Sequence, residues 1–229
     1  MRRRGDGSAR TSVTRGPTID ARRESLERVL DEVTAVVEGG GIVVYPTDTV
    51  YSIGCDPYEA TAIGKIYASK ARPEEGPLSL YLGSVAEALE YVGSSPFAVN
   101  AVRRTMPGPI ALVVPRPPFI PERVTWGKDG LGLRVPDHPL AAAILERCGP
   151  LAGTSASRAE QEPYWGDDDL GLLPDCDLAV LDGPTPRRGR STILDITWPQ
   201  PRVVRQGVLS AESLEEKLGT RIARPYEGP

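Results

Sequence analysis

The feature that most constrains this chain is an alternation. Short apolar runs, four to six residues long, are separated by stretches whose apolar residues recur at helical spacing. Ile42–Tyr45, Leu78–Leu82, Ile110–Val114, Leu131–Val135, Leu178–Leu181, Ser191–Ile196 and Arg202–Arg205 read as strands. Between them, Glu24–Glu38 sets Leu26, Val29, Leu30, Val33, Val36 and Val37 along one helical face and stops at Gly39-Gly40-Gly41. Further helices are expected over Ala60–Lys70, Val85–Tyr91, Phe97–Thr105, Leu140–Arg147 and Glu212–Leu218. A chain built this way predicts one α/β domain with an open, twisted sheet rather than separate domains. We place that domain at residues 25–218, after a disordered basic tail over 1–24 and before a short C-terminal tail over 219–229. The stretches 115–129 and 155–166 are long for structureless connections, which makes them expected walls of a pocket.

Composition narrows the chemistry. The chain has one histidine, His138, and three widely spaced cysteines, Cys55, Cys148 and Cys176. That excludes multi-histidine metal centres and disulfide scaffolds, and fits a reducing cytoplasm. No run of about 20 apolar residues is present to span a membrane. Residues 1–24 hold seven Arg and three acids, so the remainder carries 20 basic against 28 acidic residues. A body of that sign is a poor general nucleic-acid binder, although a local basic cleft is allowed. The Arg-rich start is compatible with an organellar transit peptide or a nucleic-acid arm as well as with a plain tail.

Four segments put polar or cationic groups beside strand ends, where open α/β sheets bind ligands. They are Pro46-Thr47-Asp48-Thr49-Val50-Tyr51, Lys70-Ala71-Arg72-Pro73, Arg134-Val135-Pro136 and the hydroxyl-dense turn Thr154-Ser155-Ala156-Ser157. Taken singly, each has a plain reading. Lys-x-Arg is more often a hydrated surface pair than a ligand site, and serines and threonines cap turns routinely. Asp167-Asp168-Asp169 fits a helix N-terminus better than a metal site. His138, between Asp137 and Pro139, fits a structural or solvent-facing place at a helix start. Neither a Walker lysine loop nor a GxGxxG fingerprint occurs.

The ordered set is more specific than any member. It runs Pro46-Thr47-Asp48-Thr49-Val50-Tyr51-Ser52, Ser69-Lys70-Ala71-Arg72-Pro73 with Pro77-Leu78, Pro107-Gly108-Pro109, Gly132-Leu133-Arg134-Val135-Pro136, Thr154-Ser155-Ala156-Ser157, Ser191-Thr192-Ile193-Leu194-Asp195 and Arg205-Gln206-Gly207. From about Ser25 to Leu218 the chain closely resembles the YrdC-type threonylcarbamoyl-adenylate synthase family. The resemblance implies an α/β fold with a twisted, open, mixed and largely parallel sheet flanked by helices around a deep cationic cavity. It also implies conversion of L-threonine, bicarbonate and ATP into threonylcarbamoyl-AMP and pyrophosphate, with Mg²⁺ accompanying ATP and no metal ligand assigned to a protein side chain. By the same resemblance Lys70 and Arg72 are the catalytic pair. Thr49, Tyr81, Arg134, Thr154 and Ser191 hold threonine, and Lys70, Arg72, Gly76, Ala156 and Arg205 surround ATP. The implied product feeds modification of a tRNA adenosine (t6A) through a separate transferase complex, with direct tRNA contact optional.

The chain departs from the family pattern where Gly76, Ser157, Tyr81 and Ala111 replace Asn, Asn, His and Thr, and where Ser52-Ile53 replaces Gly-Leu. A branch resembling YciO lacks the Lys-x-Arg pair that this chain keeps. The alternative reading is therefore a divergent paralogue that binds RNA or acts on another carbamoyl adenylate.

Overall fold

The computed structural model describes residues 16–70, 76–158, 162–166 and 169–224. Its described residues form one ten-stranded mixed sheet with helices on both faces. In chain order the elements are β1 (Thr18–Asp20), α1 (Leu26–Glu38), β2 (Val43–Tyr45), β3 (Ser52–Cys55), α2 (Ala60–Ser69), β4 (Ser79–Tyr81), α3 (Val85–Glu90), α4 (Pro96–Thr105) and β5 (Ile110–Pro115). They continue with α5 (Glu122–Thr125), β6 (Gly130–Arg134), α6 (Pro139–Cys148), β7 (Leu151–Ser155), β8 (Leu178–Leu181), β9 (Thr192–Asp195), β10 (Arg202–Arg205) and α7 (Ala211–Leu218). Across the sheet the strand order is β1-β8-β2-β3-β7-β4-β6-β5-β9-β10. The parallel neighbours are β1–β8, β2–β8, β4–β6 and β5–β9, and the other five pairs are antiparallel.

Register explains why one face is core and the other holds a pocket. Ala152, Leu80, Leu133, Leu112, Leu194 and Val203 are successive cross-strand partners from β7 to β10, and all are buried. This row packs with α2, α4 and α7 through Ile63, Ile66, Ala101, Val102, Leu214 and Leu218. Each fully buried aliphatic side chain contributes about 1.5–3 kcal/mol. Side chains alternate along strands, so the neighbouring row points the other way. That row is Gly153, Ser79, Gly132, Val113 and Asp195, again successive partners.

Helices α1 and α6 cover the far half of this second face. They bury Val29, Leu30, Val33, Ile144 and Leu145 against Val43, Tyr45, Leu151 and Val180. Helix α1 starts where Ser25 Oγ accepts from the Arg28 N–H and stops at Gly39, before Gly40 at φ +71°. The other half of the face is floored by glycine and serine and is left open.

Four expectations need correction. Residues 1–24 are not wholly a tail, because Thr18–Asp20 is the edge strand paired with β8. Such a three-residue strand carries too little periodicity to read. Residues 219–229 are not wholly a tail either, since Ala223 bridges Arg202. The stretch 115–129 contains α5. Thr154 and Ser155 end strand β7 rather than forming a turn after it.

Candidate active site

The open half of the face holds a cavity of about 230 Å³, lined by Gly76, Tyr81, Arg134, Thr154, Ser191 and Arg205 among others. Six residues singled out from separate stretches of sequence thus meet in one hollow. Past Pro77, Ser79 and Ile193, which line both, it is contiguous with a second hollow of about 350 Å³ over Gly130 and Gly132. Trp198 edges that second space, with the Arg202 guanidinium 4.4 Å from its ring centroid.

Arg134 is the centre of the first hollow. It ends β6 and is only 2% exposed. Its Nη2 donates to Asp48 Oδ1 at 2.8 Å, to Thr49 Oγ1 at 2.6 Å and to Thr47 Oγ1 at 3.3 Å. All three acceptors come from the turn between β2 and β3, where Thr47 Oγ1 also donates to the Val50 carbonyl at 2.6 Å. The guanidinium lies 5.6 Å from the Tyr81 ring centroid. Burial works against its charge, but Tyr81 and Asp48 outweigh that, and it titrates above its ordinary range. Arg134 Nε is buried without a hydrogen-bond partner among the described residues. An unsatisfied buried donor costs about 1–3 kcal/mol, and an anionic ligand would relieve that cost.

The remaining groups are held as firmly. Tyr81 Oη accepts from Ser52 Oγ at 3.2 Å. Arg205 Nη2 donates to the Ser191 carbonyl at 2.9 Å and to Ser191 Oγ at 3.1 Å, which fixes both on the rim. Lys70 is 1% exposed, and its Nζ donates to the carbonyls of Ser155 and Ser157, the latter at 2.7 Å. A buried ammonium needs such partners, and here it fastens the end of β7 beside the cavity. Ala156 is fully buried, and its N–H donates to the Tyr51 carbonyl at 2.7 Å.

Arg72 lies outside the described residues, as do Asp167 and Asp168. Asp169 caps a short 3₁₀ turn at Leu170–Leu172, its Oδ1 accepting from the Gly171 N–H at 2.9 Å. His138 is the N-cap of α6. Two charged residues at the site were not singled out from sequence, Asp48 and Arg190. Both sit inside or beside quoted motifs, so the signal was present without a geometry to read it. Among the described residues no group of three or more His, Cys, Asp or Glu stands together as a cation site.

A family model for Sua5/YciO/YrdC proteins, described as telomere recombination, matches residues 35–207. The chain belongs to the Sua5/YciO/YrdC family. A threonylcarbamoyl-AMP synthase of Halorhodospira halophila is 35% identical over 169 residues, covering 69% of this chain and 88% of the relative. The solved structure of Pyrococcus abyssi Sua5 complexed with L-threonine superposes with a TM-score of 0.77 at 26% identity, covering 90% of this chain. This chain spans 61% of that protein's length. Escherichia coli YciO superposes with a TM-score of 0.75 at 26% identity, covering 88% of this chain and 99% of YciO. The family's fold is therefore present over nearly the whole described chain.

Proposed function

We propose that this chain is an L-threonylcarbamoyladenylate synthase, which joins L-threonine, bicarbonate and ATP into threonylcarbamoyl-AMP with release of pyrophosphate. The observation that carries the reading is the meeting of Tyr81, Arg134, Thr154, Ser191 and Arg205 around one cavity, with Thr49 hydrogen-bonded to Arg134. The names of its relatives and the threonine-bound Sua5 structure support the same substrate.

In this reading Arg134 receives the carboxylate of threonine, and Thr49, Thr154 and Ser191 read the hydroxyl and amine. Tyr81 closes the wall behind it. Threonine nitrogen takes up the carbon of bicarbonate, losing water. A carbamate oxygen then attacks the α-phosphorus, and the bond to pyrophosphate breaks. Lys70, Arg72 and Arg205 neutralise the phosphates, with Gly76 leaving room for the nucleotide and the buried Ala156 supporting the wall through its N–H bond to the Tyr51 carbonyl. Such a reaction is dominated by positioning and charge, so one uninvolved histidine is no obstacle. Mg²⁺ bound to the triphosphate would supply charge neutralisation there. The three cysteines, Cys55, Cys148 and Cys176, form no disulfide among the described residues, which suits a cytoplasmic setting. No described helix is long and apolar enough to cross a membrane. Downstream, the adenylate would pass to a transferase acting on tRNA.

Pure protein given Mg²⁺-ATP and bicarbonate should release pyrophosphate only when threonine is added. Arg134→Lys, which keeps the charge and loses the planar fork, should raise the threonine KM by about tenfold or more. Threonine-independent release, or a variant with unchanged KM, would contradict the reading. A second reading, action on another carbamoyl adenylate, is favoured by Tyr81, which projects a phenol into the wall. Mass spectra of adenylates formed from a panel of amino acids separate the two, since strict preference for threonine excludes the second.

A further inference from the structure

We infer that Asp48 is a positioning residue that clamps the pocket from both sides, holding Arg134 with one carboxylate oxygen and the segment from Gly183 to Arg190 with the other. Asp48 is 1% exposed, so its charge needs compensation from the protein. Oδ1 accepts from Arg134 Nη2 at 2.8 Å. Oδ2 makes no hydrogen bond among the described residues and faces Arg187 Nε at 3.9 Å. The Asp48 carbonyl accepts from the Arg187 N–H at 3.1 Å, so backbone and side chain tie the same two residues. Arg187 reaches outward as well, its Nη2 lying 3.3 Å from Asp137 Oδ2.

The segment so tied runs directly into Arg190 and Ser191, both of which line the cavity. One acid therefore sets the separation between the two walls of the hollow, Arg134 on β6 and Ser191 before β9. A carboxylate suits this place because it only accepts, and can serve a cation on each side. An asparagine would keep an acceptor for Arg134 but turn an amide donor toward Arg187. The inference rests on the reading above only in taking Arg134 and Ser191 as substrate-binding groups.

The test uses the full chain and the variants Asp48→Asn, Arg187→Gln, Arg187→Lys and Asp48→Asn/Arg187→Gln. Two readouts are followed: the threonine KM and kcat of pyrophosphate release, and amide hydrogen exchange over residues 183–190. Asp48→Asn should raise the KM by about tenfold with a smaller fall in kcat, and should speed exchange in that segment. Arg187→Gln should do the same more weakly, and Arg187→Lys should restore both, because the contact is one of charge rather than a planar fork. The double variant should be no worse than Asp48→Asn alone, since both changes cut one linkage. A purely structural aspartate would lower the melting temperature and leave the KM and the segment's exchange unmoved, and that result overturns the proposal, as would additive effects. If Asp48→Asn does not fold, the half-exposed Arg187 pair decides by itself, with unchanged exchange and KM in Arg187→Gln counting against the link. If the unmodified chain shows no threonine-dependent turnover, the proposed function falls, and the exchange comparison still supports or overturns the clamp.

Discussion

Arg134 and His138 lie four residues apart, and burial treats them differently. The arginine keeps its charge because Tyr81 and Asp48 outweigh its burial. The histidine has weaker support. Its Nε2 is 3.7 Å from Asp182, and its Nδ1 accepts from the Ala141 N–H at 3.5 Å. Burial depresses its pKa, and Asp182, Asp48 and Asp137 only partly oppose that. In the folded chain the ring is thus harder to protonate than in the unfolded chain. Below the ordinary histidine range the unfolded state binds more protons, so stability falls as pH drops through that window. Melting temperatures from pH 7 down to pH 5 should fall more steeply for the natural chain than for His138→Asn, which keeps a helix N-cap. Parallel curves would contradict this. At this scale the sequence announced Thr49, Arg134, Ser191 and Arg205 through their motifs. Asp48 was passed over because its importance lies in a partner 86 positions away along the chain.

Among the elements, those built from aliphatic runs were legible and those built from small residues were not. Strands β2, β5, β6 and β8 match the apolar runs within a residue or two. Strand β3, Ser-Ile-Gly-Cys, and strand β7, Leu-Ala-Gly-Thr-Ser, have little β propensity of their own. They become strands because β2 and β4 lie on either side and satisfy their backbones. The same small residues make the site, since a bare floor needs strands without large side chains. A Cβ on Gly153 would stand 2.5 Å from the Ile53 carbonyl oxygen, whereas one on Gly76 meets nothing within 4 Å. Gly153→Ala should therefore cost about 1–3 kcal/mol in chemical denaturation, and Gly76→Ala should stay within about 0.5 kcal/mol. Equal losses at both positions would show that the cross-strand approach at Gly153 is not as tight as described.

For the molecule as a whole, the sheet is covered asymmetrically, and that asymmetry is the origin of the site. Helices α2, α4 and α7 seal one face, while α1 and α6 reach only halfway across the other. Sequence patterning conveyed the alternation of strands and helices but not the coverage, which depends on strand order. Antiparallel insertion of β3 and β7 between β2 and β4 brings the turn bearing Asp48 and Thr49 against the end of β6. The edge strand β1 escaped notice for a related reason, since its three residues are specified by β8 rather than by their own pattern. On the proposed function, amino acid, bicarbonate and nucleotide are joined over this bare half-face. Mass spectrometry of the product formed from threonine, ATP and ¹³C-bicarbonate tests it most directly. The expected product is an AMP adduct of threonine carrying one ¹³C, and an adduct lacking the label, or AMP and pyrophosphate without any adduct, would contradict that function.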